Sequence, residues 1–272
     1  MAFLTMPQPF DFELTTERFR AFGPDLANLW REGGLHRVVG GREVRIEPAP
    51  GGAEVDPLDD ETERVALKLL GAEFDLAGFK PTDSVLAAEV ARFRGLRPAL
   101  APDPFEMLVG AITAQQISLR AAFAVRSRFV ERFGVRAEHA FAFPAAERVA
   151  ASTPDELRAL GFSIRKAEYV LGLARAELDY RALEKLPDDD VKATLVQLPG
   201  IGEWTADWFL ARHLARPRAW PAGDLALRYA VSAFYGGGRV LSIQETRDFG
   251  ARFDPFQNLT AHYLLVANRN PG

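Results

Sequence analysis

Between residues 35 and 48 the chain reads LHRVVGGREVRIEP, with apolar and polar positions alternating on both sides of Gly40-Gly41. A period of two around a glycine pair predicts two strands joined by a tight turn. The pattern then lengthens. Helical segments are predicted at about 60–70 and 83–94, after the polar runs PLDDETE and PTDS. A small α+β unit follows from these elements, ending near the linker FRGLRPALAPDP (93–104).

Beyond the linker, helix start signals come in succession. Asp103-Pro104-Phe105-Glu106 reads as an N-cap, a proline at the first helical position and a capping-box glutamate. Thr153-Pro154-Asp155-Glu156 repeats the pattern, and Ser242 with Glu245 makes a third box. Asp188–Asp190 put negative charge where a helix dipole favours it. Connections are short and strand patterns are lacking. The chain therefore reads as mainly α: an α+β accessory domain over 1–97 and an all-helical domain over 98–272.

Composition narrows the chemistry. An apolar content of 48% in 272 residues is enough to fill a sizeable core. No uncharged apolar run is long enough to span a membrane, and the N-terminus lacks the basic and apolar blocks of a signal peptide. Cysteine is absent, which removes disulfides, zinc–thiolate sites and any cysteine-held iron–sulfur cluster and fits a reducing cytoplasm. The histidines, His36, His139, His213 and His262, show no metal-ligand spacing along the chain. A net charge of −4 argues weakly against a nucleic-acid partner. Yet ISLRAAFAVRSRFVERFGVR (117–136) carries five arginines against one glutamate, so a local basic face is available on an acidic protein.

Two stretches carry the candidate chemistry. In LPGIGEWTADWFL (198–210) a helix predicted at about 188–197 is stopped by Pro199, and a second begins directly after Gly202. Gly200 and Gly202 permit a tight turn, and Ile201 between them can plug it into the core. The product is a helix–hairpin–helix (188–213) whose free amides at a helix start suit a phosphate oxygen. For a bare Pro-Gly-x-Gly taken alone, an ordinary αα-hairpin is the favoured reading. Further on, AWPAGDLALRYAVSAFYG (219–236) places Asp224 as the N-cap of an apolar-periodic helix, after a Gly/Pro loop (219–224).

Together these stretches resemble the helix–hairpin–helix, Gly/Pro-rich loop and aspartate signature of the DNA glycosylase superfamily. FDLAGF (74–79), GLRPALAPDPFEMLVGAITAQQIS (95–118) and the Trp-Thr-Ala after the hairpin are similar to the 3-methyladenine DNA glycosylase II branch. The resemblance implies a helix–hairpin–helix glycosylase fold acting on double-stranded DNA with alkylated bases, by base flipping, in base excision repair. It implies Asp224 as the catalytic carboxylate, stabilising oxocarbenium character at C1′ and orienting or deprotonating water. Gln116, beside Gln115, would be the wedge that fills the emptied stack, with Gly200, Ile201, Gly202 and Thr205 also at the DNA. Trp204 and Trp208, at i and i+4, would form the base pocket, where an indole face attracts a cationic alkylpurine by about 0.5–2 kcal/mol.

Lyase members carry a lysine where this chain has Trp204, so no Schiff base with the sugar is expected. Relatives often have aromatics where Leu225 and Leu265 stand, which implies a more aliphatic pocket. No metal or cofactor is required; the carbonyls of Leu198 and Ile201 are candidates for holding a monovalent cation, with Arg120 and Arg126 on the DNA backbone. A monomer in the cytoplasm, at the nucleoid when acting, completes the expectation. The competing readings are a non-catalytic DNA-binding module, a glycosylase for oxidised or deaminated bases, and a protein-interaction scaffold.

Overall fold

Gly40 and Gly41 adopt φ of 56° and 76°, the left-handed turn that brings Val39 opposite Arg42. The computed structural model describes residues 2–237 and 239–271. In it this hairpin is the centre of a five-stranded antiparallel sheet: β1 (Ala2–Thr5), β2 (Leu29–Arg31), β3 (Gly34–Val39), β4 (Arg42–Ala49) and β5 (Gly52–Asp56), in the order β1-β5-β4-β3-β2. Leu35, Val39, Val44 and Ile46 share one face by the period of two, and they pack with Leu69 and Leu70 at the end of the Asp60–Leu69 helix. That helix starts on Asp59, whose carboxylate accepts from the Glu61 and Thr62 amides.

The second core lies among helices Pro104–Ala114, Leu119–Phe133, Ile164–Arg175, Asp188–Leu195, Glu203–Arg212, Leu225–Tyr235 and Gln257–Arg269. Leu108, Ile112, Phe129, Val170, Phe209, Leu227 and Leu264 are fully buried in it, each such side chain contributing about 1.5–3 kcal/mol by leaving water. The predicted N-caps Asp103, Thr153 and Ser242 each accept from a first-turn amide, and the Thr153 and Ser242 boxes are complete.

Several expectations need correcting. Glu106 closes no capping box: its amide is capped by Asp103, but its side chain turns inward to two arginines. The helical body is not wholly helical, because Val135–Arg136 pairs with Phe141–Ala142 in a two-stranded ladder. The first hairpin helix ends at Leu195, before Pro199 is reached. Helix Ser84–Arg92 shares the helical core through Leu86 and lies beside Gln257–Arg269. The buried residues of the sheet's own core run to Leu70, with Ala72 and Ala99 packed against them.

Arg97 closes the seam, buried, with its guanidinium donating to the carbonyls of Pro9, Gly71 and Phe74. No helix among the described residues is long and apolar enough to cross a membrane.

Candidate active site

The turn between the two hairpin helices is shaped by contact as well as by φ. Gly200 has φ +82°, and a Cβ there would come within 2.2 Å of the Tyr169 ring, so only glycine fits. Ile201 is buried and anchors the turn in the core. Gly202 is the N-cap of Glu203–Arg212, and no side chain caps that helix. An added Cβ at Gly202 would meet nothing within 4 Å. The outcome is a set of first-turn amides at an open helix N-terminus, a seat for an anionic oxygen.

The helix so launched carries Trp204, Trp208 and Arg212 on one face, four residues apart. Both indoles turn their N–H to the same atom. Trp204 Nε1 donates to Asp224 Oδ2 at 2.9 Å and Trp208 Nε1 donates to it at 3.0 Å. Asp224 Oδ1 accepts from the Leu227 amide at 2.9 Å, which makes Asp224 the N-cap of Leu225–Tyr235. A half-buried carboxylate is thereby held by three neutral N–H donors, with no cation bonded to it among the described residues.

This geometry gives Trp208 a second role beside the one expected. The residue is 5% exposed, the Arg212 guanidinium lies 4.1 Å from its ring centroid, and the His262 ring meets it edge-on at 5.7 Å. Its indole stacks on Arg212 and holds Asp224, and it lines the same cavity as Trp204. Trp204 is half-buried and lines the cavity in front of Asp224.

That cavity has a volume of about 210 Å³ and runs from Asp224 to the seam with the N-terminal unit. Leu265 lines it; Leu225 is half exposed and is not part of the wall. Four arginines line it as well: Arg18, Arg126, Arg212 and Arg269. Arg126 is fixed by Asp25 and Glu106, and Arg269 pairs with Glu17 at 2.9 Å. Arg18 and Arg212 have no carboxylate within ion-pair distance among the described residues. Burial, then repulsion from Arg269 and Arg126, lowers the Arg18 guanidinium to about 10. Burial, with Arg18 and Arg269 nearby, pulls Arg212 well below its usual range despite the opposing charge of Asp224.

His262 is pushed down to about 3 by burial and by Arg212, so it is neutral near pH 7. Its Nδ1 then donates to the Asn258 carbonyl at 3.0 Å while Nε2 faces Arg212 Nε at 3.4 Å.

At the cavity's deep end Glu106 is 4% exposed. Its carboxylate accepts from Arg37 and Arg126, each at 2.6 Å, and from Asn28 at 3.2 Å. Burial alone would raise this carboxyl, but the two guanidiniums overcome burial and hold it at about 2. Arg126 therefore belongs to a buried ion network and cannot serve the DNA backbone, whereas Arg120 is exposed.

The expected wedge also divides into two roles. Gln116 is exposed with φ +57°, beside exposed Ile117 and Leu119. Gln115 points back, its Nε2 donating to the Gly200 carbonyl at 2.8 Å and to Thr205 Oγ1 at 3.3 Å. Thr205, only 1% exposed, supports that tie with its side chain. Lys166 donates to the carbonyls of Thr113 and Gln115, closing the helix end behind the tip.

Sequence reasoning missed Arg18, Arg212 and Arg269. The spacing of Arg212 from Trp208, and of Arg269 from Leu265, four residues in each case, could have placed two of them on the same helix faces. Arg18 comes from the other unit, and nothing local announces it.

Comparison with known proteins agrees with this architecture. Residues 109–249 match the HhH-GPD superfamily of base excision DNA repair proteins. A Bacillus subtilis DNA-3-methyladenine glycosylase is 32% identical over 190 residues, which cover 67% of this chain and 63% of that protein's length. The structure of a 3-methyladenine DNA glycosylase from Archaeoglobus fulgidus superposes with a TM-score of 0.89 at 27% identity, covering 99% of this chain and 98% of that one. A Schizosaccharomyces pombe 3-methyladenine DNA glycosylase in complex with abasic DNA gives a TM-score of 0.60 at 26% identity, over 72% and 95% of the two chains. With the hairpin, the Gly/Pro loop and the N-cap aspartate assembled at one cavity, the chain belongs to the HhH-GPD superfamily of base excision DNA repair proteins.

Proposed function

We propose that this protein is a monofunctional DNA glycosylase that hydrolyses the N-glycosidic bond of alkylated purines flipped from duplex DNA. The observation that carries the reading is Asp224 at the cavity, with Oδ2 between two indole N–H groups and Oδ1 on a helix N-terminus. A carboxylate offers about four lone-pair sites, and three are used here, so one remains for water or for the sugar. Neutral donors fix the carboxylate without cancelling its charge. Asp224 is suited to stabilising the positive sugar carbon as the base departs.

The nucleotide rotates out of the stack into the cavity while Gln116 and Ile117 fill the gap. Trp204 offers the base an indole wall. A purine methylated at N3 or N7 is already a cation and leaves as a neutral molecule, so the reaction draws on Asp224, water and the base's own charge. The hairpin amides at Gly202 and exposed Arg120 supply phosphate contacts. The carbonyls of Leu198 and Ile201 remain a seat for a monovalent cation between turn and phosphate; that of Leu198 already accepts from the Ile201 amide and keeps its second lone pair. With Trp204 in the lyase position and no lysine among the described residues of the cavity wall, backbone cleavage by Schiff base is not part of this reading.

Arg18 and Arg212 favour a second reading. Two guanidiniums without carboxylate partners would repel a cationic purine and would donate to the carbonyl oxygen of a neutral, deaminated one. Duplex DNA bearing methylated purines, and duplex DNA bearing hypoxanthine, should be incubated with the protein and the released bases quantified. Faster release of 3-methyladenine and 7-methylguanine, with nicks only after alkali, supports the first reading. Faster hypoxanthine release transfers it to the second, and nicking without alkali ends the monofunctional assignment.

A further inference from the structure

Away from the cavity, three chemically suited side chains meet where the sheet touches the helical body. Val38 pairs with Glu43 across β3 and β4, so His36, two residues before Val38, shares a sheet face with Glu43 and lies on its diagonal. The turn between Val135–Arg136 and Phe141–Ala142 brings His139 onto the same spot. His36 Nδ1 is 2.8 Å from Glu43 Oε1, and His139 Nδ1 is 3.2 Å from that same oxygen. The three ligand atoms all lie within 4.8 Å of one another. We propose that His36, Glu43 and His139 bind one divalent transition-metal ion of the zinc type, clipping the N-terminal sheet to the helical body.

The donor set decides the class of ion. Two imidazoles and one carboxylate suit zinc and its borderline neighbours and are a poor match for calcium or magnesium, which prefer oxygen. Ligands about 2.0–2.1 Å from a tetrahedral zinc stand roughly 3.3 Å apart, so the two nitrogen–oxygen spacings need adjustment by fractions of an ångström.

The carboxylate is also oriented from behind. Glu43 Oε2 accepts from the backbone amides of His139 and Ala140, at 2.6 and 2.9 Å, which leaves Oε1 facing both rings. His36 is 6% exposed and its Nε2 has no partner among the described residues, so the ring is committed here through Nδ1.

A fourth ligand is within reach. Glu138 Oε2 lies 4.0 Å from His139 Nδ1 on a side chain 82% exposed and free to turn in. Arg45, on the same sheet face, is engaged with Glu47 at 2.6 Å. The sequence hides the site because its ligands come from three segments brought together by the ladder and the domain contact.

The test uses full-length protein stripped with chelator, dialysed, and given zinc, beside a His139→Ala variant. His139 is 38% exposed, so its removal opens no core. The expected result is one zinc retained per wild-type chain at micromolar or tighter affinity, with Tm raised by several degrees. Cobalt(II) should give the intense visible bands of a tetrahedral site. His139→Ala should lose all three responses, and Glu138→Ala should weaken zinc about tenfold. No zinc-dependent change in the wild type overturns the proposal and leaves Glu43 as a hydrogen-bond node. Equal zinc uptake by His139→Ala overturns it too, as surface binding elsewhere.

Discussion

Three carboxylates line one cavity, and two of them, Glu106 and Asp224, have surroundings that could hardly differ more. Glu106 is clasped by Arg37 and Arg126, and its charge is spent on the fold. Asp224 is clasped by two indoles and an amide, donors that hold geometry and leave the charge available. The comparison teaches that burial and hydrogen bonding alone do not identify a catalytic acid. What matters is whether the partners are charged.

The largest effect should come from breaking the Glu106 end. Glu106→Ala leaves two buried guanidiniums short of an acceptor, and losing one member of a buried ion network costs about 3–5 kcal/mol. Calorimetry should record a Tm lower by roughly 10 °C, while base release per folded molecule falls less than tenfold. A variant as stable as the wild type would remove the structural role. The same carboxyl sets an acid limit. Its folded value, about 2, lies below the ordinary 4.5, so its stabilisation is complete above pH 4.5 and is lost as pH falls towards 2. Urea titrations across that window should show stability declining more steeply in the wild type than in Glu106→Gln.

At the other end Asp224→Asn should reverse the pattern. Base release is expected to fall by about 10²–10³-fold, as when an electrostatic stabiliser is removed. Stability should fall by only about 1 kcal/mol, since asparagine still caps the helix. Single-turnover release from methylated duplex DNA measures the first, and thermal melting the second. Full activity in the asparagine variant would show that the charge is not the operative feature.

Trp208→Phe tests the donors themselves. It keeps an aromatic ring beneath Arg212 and removes one N–H from Asp224 Oδ2. The carboxylate is then held by two donors, and turnover should drop about tenfold with substrate affinity unchanged. A rise in KM with constant kcat would instead make Trp208 a wall of the base pocket.

Much of this was legible in the chain where the signal is local. The φ of Gly200, the absence of a side-chain cap at Gly202 and the N-cap of Asp224 all depend on a few neighbouring residues, and the motifs display them. The partners of Asp224 lie 16 and 20 residues away, so their N–H groups could be placed on a helix face but not aimed. Arg120 and Arg126 look alike in a basic helix. Yet Arg126 falls on the stripe of Ala122, Phe129 and Phe133, and that spacing was the missed sign of its burial. The tie made by Gln115 was hidden for a related reason, because a glutamine at a helix end says nothing of a hairpin 85 residues on.

The smallest effect expected concerns the cations between the two ends. Arg212 is stacked on Trp208 and is the lining arginine whose charge feels Asp224. Arg212→Gln removes a positive charge from the wall while keeping a long side chain over the indole. A charge several ångströms from the base, at the effective dielectric of a protein site, is worth about 1 kcal/mol, or roughly fivefold in rate. Release of cationic 7-methylguanine should therefore rise relative to neutral hypoxanthine by about that factor in competition assays on mixed substrates. The sign carries the argument, because a packing defect would slow both bases alike. An unchanged ratio would mean that Arg212 is there to stack on Trp208, and that the contrast between the cavity's ends rests on the carboxylates alone.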